Sequence, residues 1–363
     1  MTKKAILVLE DGSVYEGYSF GAETDSCGEV VFNTSMTGYQ EMLTDPSYAG
    51  QIVIPTYPLI GNYGTNQQDL ESSRIQVSGF VVREECEQPN HYLNAGNLHE
   101  YLAESGIPGI YGVDTRAITR KLRSAGVMMG FITTTRTPRQ ALEEIRNQPD
   151  YGSIDFVRQV SAPKPFTWEP AAEASPSLKI VALDCGLKYN IIRLLNQRGC
   201  SVTVVPCTTS AADILSLNHD GILLSPGPGN PDLLNYITDT VKQLAGKKPV
   251  MGICLGNQLI ARAFGGSNFK LKFGHRGGNH PVKELATGRV HITAQNHGYA
   301  VDPDTLTDGL EVTHINLNDG TVEGLRHKEL PIFSIQYHSE ASPGPLDNVY
   351  LFDKFVEMVR DFK

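Results

Sequence analysis

From residue 179 onward, strand-like and helix-like segments alternate, and this alternation constrains the fold more than any other feature of the sequence. Alternation of this kind is typical of βαβ units, which build a parallel sheet with helices on both faces. The predicted strands and helices are, in chain order, Lys179–Asp184, Asn190–Arg198, Ser201–Pro206, Ala211–Leu217, Gly221–Ser225, Leu233–Leu244, Pro249–Cys254 and Leu255–Phe264. Three further strands and a closing helix are predicted at Val290–Gln295, Thr321–Arg326, Ile332–Tyr337 and Asn348–Asp361.

The first half of the chain has a different pattern, in which short β-type runs are broken by Gly, Asn, Asp and Pro. Few long helices are indicated, so we expect an α+β or β-rich domain there. The runs that stand out as strands are Ala5–Leu9, Gly28–Asn33, Gln51–Ile54 and Ile75–Val82, and helical patches occur at Leu98–Ser105, Thr115–Ser124 and Arg139–Asn147. The predicted fold is therefore α/β, with a doubly wound, mostly parallel C-terminal sheet preceded by a smaller α+β or β-rich domain.

A change of composition separates the two halves. Residues 161–177 carry four of the chain's 21 prolines and show no apolar periodicity, which favours a linker. We expect an N-terminal domain over residues 1–160, a linker over 161–177 and a C-terminal domain over 178–363. The linker contains the single tryptophan, Trp168, to which we assign no chemistry.

Charge and apolar content narrow the classes of partner. The 40 acidic residues outnumber the 31 Lys and Arg, giving a net charge of −9, which argues against a nucleic-acid partner because phosphate binding needs a basic surface. No apolar run approaches the roughly 18 residues that a membrane-spanning helix needs, and the N-terminal apolar stretch is too short for a signal peptide. We expect a cytoplasmic protein. Its six cysteines show no Cys-x-x-Cys spacing, so we expect reduced thiols and no metal site.

The segment Gly252-Ile253-Cys254-Leu255-Gly256 lies where a buried strand runs into a helix. A nucleophile flanked by glycines at such a junction is typical of an elbow, which holds the reactive atom at the carboxyl edge of the sheet. The positive end of the following helix favours a thiolate at Cys254, and the N–H of Leu255 lies where an oxyanion would form. The pattern alone fits a tight turn with a buried thiol equally well.

A nucleophile needs a base, and the base needs a group that orients it. His338 follows the apolar strand Ile332–Tyr337 and should emerge at the same sheet edge as Cys254. Glu340 lies two residues further on, where an extended backbone would place it on the same face as His338. The order Cys, His, Glu on an α/β sheet favours a catalytic triad, although a solvated His–Glu pair would give the same local pattern.

Two further loops follow predicted strands. The run Ser225-Pro226-Gly227-Pro228-Gly229-Asn230-Pro231 is a rigid loop whose backbone N–H groups can approach a ligand closely, as an oxyanion hole requires. The run Gln295-Asn296-His297-Gly298-Tyr299 is a polar turn. Taken alone, the first run fits a plain βα turn. The second fits a surface turn in which His297 has its hydrogen bonds satisfied and no catalytic role.

With these segments in this order, the second half resembles the class I, triad-type glutamine amidotransferases, and the whole chain resembles the small subunits of carbamoyl phosphate synthetase. Four segments outside the triad carry the wider resemblance: NTSMTGYQEMLTDPSYAGQ at 33–51, GVDTRAITRKLR at 112–123, GHRGGNHPV at 274–282 and ASPGPLD at 341–347.

The resemblance implies that Cys254 attacks the carboxamide of L-glutamine, that His338 acts as base and then acid, and that Glu340 orients His338. Glutamine-binding positions implied by it, including the oxyanion donors Gly229 and Leu255, are Ser47, Gly227, Gly229, Leu255, Gln258, Asn296, Gly298 and Tyr299. It also implies that the ammonia passes to a large subunit, on which the N-terminal domain docks, in a heterodimer or an assembly of heterodimers. The large subunit would use ATP, Mg²⁺ and bicarbonate, so no cofactor is expected on this chain.

Three residues depart from the family's usual pattern: Asn257 replaces His, Asn230 replaces Asp and Ser339 replaces Pro. None of the three removes a triad atom or an oxyanion donor. We therefore expect them to affect the fine positioning of the site and the reaction rate, but not the type of reaction. Two other functions stay open. One is another class I amidotransferase or a γ-glutamyl hydrolase, against which the N-terminal segments argue. The other is a non-catalytic interaction subunit that keeps the fold, against which the intact triad residues argue.

Overall fold

The chain folds into two compact units, Met1–Ile154 and Asp155–Lys363. The structure is a computed structural model, and it describes residues 3–170, 178–307 and 309–362. By this division the described part of the predicted linker, residues 161–170, belongs to the second unit. The remaining linker residues, 171–177, lie outside the described residues.

The first unit is built on a closed β-barrel with the strand order β1-β2-β8-β6-β4-β3-β9, which closes through the pairing of β9 with β1. A barrel leaves no unpaired strand edge. Its strands, with the separate pair β5 and β7, are β1 Lys4–Leu9, β2 Val14–Gly21, β3 Ser26–Asn33, β4 Gln51–Pro55, β5 Leu59–Ile60, β6 Gly79–Val81, β7 Glu84–Glu85, β8 Pro108–Tyr111 and β9 Met128–Thr133. Its helices are α1 Tyr39–Thr44, α2 Leu98–Glu104, α3 Thr115–Ala125 and α4 Pro138–Asn147.

Capping residues fix where these helices begin. The side chain of Asp114 accepts a hydrogen bond from the N–H of Ala117 at the start of α3. At α4 a capping box joins Thr137 and Gln140, each accepting a bond from the other's backbone N–H. These local signals place the helix starts where the sequence pattern also places them, to within one residue.

The second unit contains one large sheet with helices on both faces. Its strands are β10 Phe166–Trp168, β11 Leu178–Asp184, β12 Cys200–Pro206, β13 Gly221–Leu224, β14 Val250–Ile253, β15 Asn268–Glu284, β16 Val290–Val301, β17 Leu310–Asn316, β18 Val322–His327 and β19 Ile332–Ile335. Its helices are α5 Val157–Val160, α6 Tyr189–Gln197, α7 Ala211–Ser216, α8 Asn235–Leu244, α9 Leu255–Ala263 and α10 Tyr350–Asp361.

The sheet order is β10-β12-β11-β13-β14-β19-β18-β17-β15-β16. Strands β12, β11, β13, β14 and β19 run parallel, so their carboxyl ends meet at one edge. The strands from β18 to β16 continue the sheet in antiparallel pairing. This arrangement brings the ends of β13, β14 and β19, and the chain segments that follow them, to the same edge.

Alternate residues of the central strands supply two cores. On β11, Val181 and Leu183 pack with α7, α8 and α9, whereas Ile180 and Ala182 pack with α6 and α10 on the opposite face. A strand buried on both faces reads as a continuous apolar run. The α/β class, the helices on both faces and the smaller N-terminal domain are thus confirmed.

Several segments differ from the sequence-based prediction. The predicted polar turn Gln295–Tyr299 is part of strand β16, which continues the predicted strand Val290–Gln295 to Val301. Residues 166–168, predicted as linker, form the edge strand β10, which pairs antiparallel with β12; three residues are too few to show periodicity. Trp168 packs there against the second core, 5.1 Å from the ring of Tyr189. In the first unit, the predicted strand Ile75–Val82 is confined to β6, because its earlier residues lie in a loop.

Candidate active site

Cys254 lies between β14 and α9 in a strained backbone conformation, with φ 53° and ψ −103°. The glycines on either side leave room for this turn. A Cβ on Gly256 would lie 2.4 Å from the carbonyl oxygen of Leu224, and a Cβ on Gly252 would lie 2.8 Å from the backbone of Gly256. The side chain is held at the start of α9, as the sequence pattern predicts for an elbow.

His338 and Glu340 form a buried pair in which Nδ1 donates to Oε1 of Glu340 over 2.6 Å. The extended geometry predicted for this pair is wrong. Strand β19 ends at Ile335, and a turn closed by a bond from Ala341 N–H to His338 O carries the two residues. The turn, together with a β-bridge between His338 and Ala294, brings the two side chains into contact.

The electrostatics of this pair favour an imidazolium next to a carboxylate. Burial alone would lower the pKa of His338, but attraction to Glu340 and interaction with Cys254 raise it above its ordinary value. Burial alone would raise the pKa of Glu340, but Lys188 and His338 hold it well below its usual range. The second ring nitrogen, His338 Nε2, is buried and makes no hydrogen bond of normal geometry within the described part of the chain.

The structure adds Lys188, which no local sequence pattern marks as a site residue. It stands at the N-terminal end of α6, and its ammonium lies 3.1 Å from Oε1 of Glu340. It also donates to the carbonyl of Ala341 over 2.7 Å. The side chains of Lys188 and Glu340 are only 3% and 0% exposed, so this ion pair is buried. Burial is what marks Lys188 as unusual, and the sequence alone does not show which lysines are buried.

The sulfur of Cys254, which interacts with His338, also contacts a backbone carbonyl and a side-chain amide. The carbonyl oxygen of Asn296 on β16 lies 3.7 Å from Sγ, and the amide Nε2 of Gln336 lies 3.6 Å from it. Gln336 is fully buried and was not predicted. Gln258, one of the predicted positions, donates from Nε2 to the carbonyl of Tyr299 and to Gln336 Oε1. The structure therefore brings Gln258, Asn296 and Tyr299 close to the nucleophile.

The Gly-Pro loop after β13 also packs against this edge. A Cβ on Gly227 would lie 2.2 Å from the carbonyl oxygen of Cys185 and 2.7 Å from the side chain of Leu255. Gly229 has φ 86°, a conformation that favours glycine. Leu255 is the first residue of α9, so its N–H has no acceptor within the helix. Close backbone approach at Gly227 thus sets this loop beside the start of α9.

The structure also shows the positions of Gly298 and Asn230. Gly298 lies in β16 between Asn296 and Tyr299, and a Cβ there would come 3.4 Å from Arg276. Asn230 caps the 3₁₀ turn Pro231–Leu233 by accepting from the N–H of Asp232, a bond that an Asp would make equally.

Ser47 belongs to the first unit and lies in the 3₁₀ turn Pro46–Tyr48. The turn is capped by Asp45, whose carboxylate accepts from the N–H of Ser47 over 2.9 Å. The Ser47 hydroxyl is buried and has no hydrogen-bond partner among the described residues. The capping role that a Ser can take in such a turn is therefore filled by Asp45.

One buried cluster has the chemistry of a metal site. Ligand-type atoms of His275, His297 and Glu323 lie within 4.8 Å of one another. Both ring nitrogens of His297 are already engaged, with Tyr299 O at 2.7 Å and Gln295 Oε1 at 2.9 Å. His275 is paired with Asp319 and Glu323. These hydrogen bonds and ion pairs explain why the three side chains lie together without a metal ion. The absence of a metal stays a prediction.

Comparison with known proteins covers both units. Residues 7–132 match the family described as carbamoyl-phosphate synthase small chain, CPSase domain, and residues 181–358 match glutamine amidotransferase class-I. A Staphylococcus epidermidis protein named carbamoyl phosphate synthase small chain is 54% identical over 364 residues, covering 100% of this chain and 98% of that protein. Proteins of the same name from Akkermansia muciniphila and Aquifex aeolicus are 53% and 49% identical, covering 98% and 99% of this chain and 97% and 100% of their own lengths.

Proposed function

The chain belongs to the family of carbamoyl phosphate synthase small chains, and from this we propose that it hydrolyses L-glutamine and supplies ammonia to a large subunit. The observation that carries the proposal is the placement of Cys254 on a strained elbow facing the buried pair of His338 and Glu340. Nucleophile, base and orienting carboxylate are the three parts that covalent catalysis requires.

In the first step, Cys254 Sγ, whose proton has passed to His338 Nε2 to give an imidazolium, forms a bond to the carboxamide carbon of glutamine. Glu340 accepts the Nδ1 hydrogen bond throughout and stabilises the imidazolium. The negative charge that develops on the carboxamide oxygen is bound by the N–H groups of Gly229 and Leu255. The remaining glutamine contacts come from Ser47, Gly227, Gln258, Asn296, Gly298 and Tyr299.

In the second step, the C–N bond breaks and His338 returns its proton to the leaving nitrogen, which departs as ammonia. The glutamyl group is left as a thioester on Cys254. Water then attacks the thioester carbon while His338 takes one of its protons, and collapse releases glutamate and the free thiol. The lowered pKa of Glu340 keeps its carboxylate ionised through both steps.

The ammonia passes to a large subunit, which forms carbamoyl phosphate from bicarbonate and ATP with Mg²⁺. The first unit provides docking surface for that subunit, in a heterodimer or an assembly of heterodimers, and this chain needs no cofactor of its own. None of the helices described is long and apolar enough to cross a membrane. The cytoplasmic location stays a prediction.

Labelling tests the proposal directly. A glutamine analogue that carries an electrophile in place of the carboxamide should modify Cys254 with one equivalent per chain, and glutamine should block the reaction. The variant Cys254→Ala should take up no label, whereas Cys86→Ala, which removes a half-buried cysteine elsewhere, should be labelled normally. Label on other cysteines, or labelling that glutamine does not prevent, would contradict the assignment.

A further inference from the structure

We propose that Gln336 is a catalytic residue that donates a hydrogen bond to the nucleophile sulfur, and that Asn257 and Gln258 hold it in that orientation. The proposal rests on the glutaminase function above and adds a residue that the triad does not include. The contact is the 3.6 Å approach of Gln336 Nε2 to Cys254 Sγ.

The direction of this hydrogen bond follows from the groups behind it. The carbonyl of Tyr299 can only accept, so the Gln258 group that lies 2.9 Å from it must be its NH₂. The same NH₂ lies 3.1 Å from the other end of Gln336, which must therefore be the oxygen Oε1. The NH₂ of Gln336 is left to point at the sulfur.

Asn257 strengthens the same orientation. Its Oδ1 accepts from the hydroxyl of Ser334 over 2.8 Å, and its Nδ2 donates to Gln336 Oε1 over 3.3 Å. Every donor in the series from Ser334 through Asn257 and Gln336 thus points toward Cys254. Asn257 therefore holds Gln336 through a side-chain amide, which does not change its protonation state with pH.

The two contacts of the sulfur favour opposite protonation states. The carbonyl of Asn296 accepts from the thiol and repels the thiolate, whereas the N–H of Gln336 stabilises the thiolate. Burial strengthens both contacts, because Gln336 is 0% exposed, Cys254 is 1% exposed and Asn296 is 7% exposed. The titratable group that interacts with the sulfur is His338, with Glu340 and Lys188 behind it.

The test is the pH dependence of Cys254 alkylation by iodoacetamide in the full-length chain without glutamine. Gln336→Glu keeps an acceptor for Asn257 and Gln258 but replaces the donor at the sulfur with an anionic oxygen. We expect the pH of half-maximal alkylation to rise by about one to two units, the range for a hydrogen bond to a charged group. With the large subunit present, kcat for glutamine should fall about 10- to 100-fold while KM changes less than about threefold.

Gln336→Met is the second variant, because it removes the donor without adding charge and serves if Gln336→Glu fails to fold. Asn196→Asp is the matched control. Its amide donates to the carbonyls of Cys200 and Trp168, so the change should lower the melting temperature and leave the alkylation midpoint unchanged.

An unchanged midpoint and kcat in folded Gln336 variants would overturn the proposal. A midpoint that shifts equally in Asn196→Asp would also overturn it, since the effect would then be structural. Alkylation is measured without glutamine, so the test of the Gln336 contact does not depend on glutamine hydrolysis. If the unmodified chain fails to hydrolyse glutamine but the Gln336 variants still shift the alkylation midpoint, the contact is supported and the glutaminase function is rejected.

Discussion

The ammonium of Lys188 and the carboxylate of Glu340 form a buried ion pair 3.1 Å long, directly behind the imidazole of His338. The same carboxylate oxygen accepts from His338 and faces Lys188, so one anion is shared by two cations. Removing two charges from water is costly, and the pair is tolerated because each charge compensates the other. The orientation of His338 is therefore coupled, through Glu340, to Lys188, which lies 150 positions earlier in the sequence.

Lys188→Met should leave Glu340 buried with only His338 as counter-charge. We expect the free energy of unfolding at pH 7 to fall by about 3–5 kcal/mol, the usual cost of breaking a buried ion pair. Denaturation by urea measures the change. The control Lys242→Met removes an exposed lysine from an ion pair and should cost less than about 1 kcal/mol. Equal losses in the two variants would show that the Lys188 pair contributes little.

Cys254→Ser should abolish glutamine hydrolysis, because a serine hydroxyl lacks the thiolate character that the reaction needs. With the large subunit present, carbamoyl phosphate synthesis from added ammonia should continue at the unmodified rate, since that chemistry lies on the other chain. Both activities are measured on the same preparation. Near-normal glutamine hydrolysis by the serine variant would show that the nucleophile is another residue.

The glycine at 256 is needed for close approach of two backbones. Gly256→Ala would place a Cβ 2.4 Å from the carbonyl oxygen of Leu224, and neither backbone can move without shifting β13 or α9. We expect a loss of about 1–3 kcal/mol, typical of overpacking, together with slower alkylation of Cys254. Gly96→Ala is the matched control, because a Cβ there would meet only Thr65 Oγ1 at 3.5 Å. The prediction is contradicted if the two alanine variants have equal stability.

His275 should make stability depend on pH. Burial alone would lower the pKa of His275, but hydrogen bonds with Asp319 and Glu323 raise it to about 9. Because the pKa of His275 is higher in the folded than in the unfolded state, its protonation stabilises the fold. This stabilisation is complete below pH ~6.5 and is lost as pH rises through ~9. We expect the loss across this window to be on the order of 3 kcal/mol. His275→Asn and Asp319→Asn should each flatten the dependence of melting temperature on pH, and an unaltered slope would contradict the pairing.

The elbow could be predicted from sequence because its signal is local. Gly252, Cys254 and Gly256 lie within one turn, and the strand before them and the helix after them have strong patterns. The central strands were also predictable, because burial on both faces makes them continuous apolar runs, as in β11 and β14. These features depend on residues that are close in the chain.

The features that were not predicted depend on long-range pairing. Lys188 and Gln336 reach the site only when β11, β13, β14 and β19 pair in that order, and no local motif marks either residue. Closure of the first unit into a barrel requires the pairing of β1 with β9, more than 100 residues apart. The turn at His338 cannot be predicted from the sequence pattern, because strand periodicity does not show that β19 ends at Ile335.

Ser47→Ala tests whether the first unit contributes to glutamine binding. The Ser47 hydroxyl is buried without a partner in the described residues, and Asp45 already caps its turn, so the variant should melt within about 1 °C of the parent. A hydrogen bond to a charged amino-acid group contributes roughly 1.5–3 kcal/mol, so KM for glutamine should rise about 10- to 150-fold. The α-amino and α-carboxylate groups bind alike in the ground and transition states, so kcat should change less. Glutamine kinetics of the variant with its large subunit give both values. An unchanged KM would confine glutamine binding to the second unit, and a lowered melting temperature with an unchanged KM would assign Ser47 to its own turn.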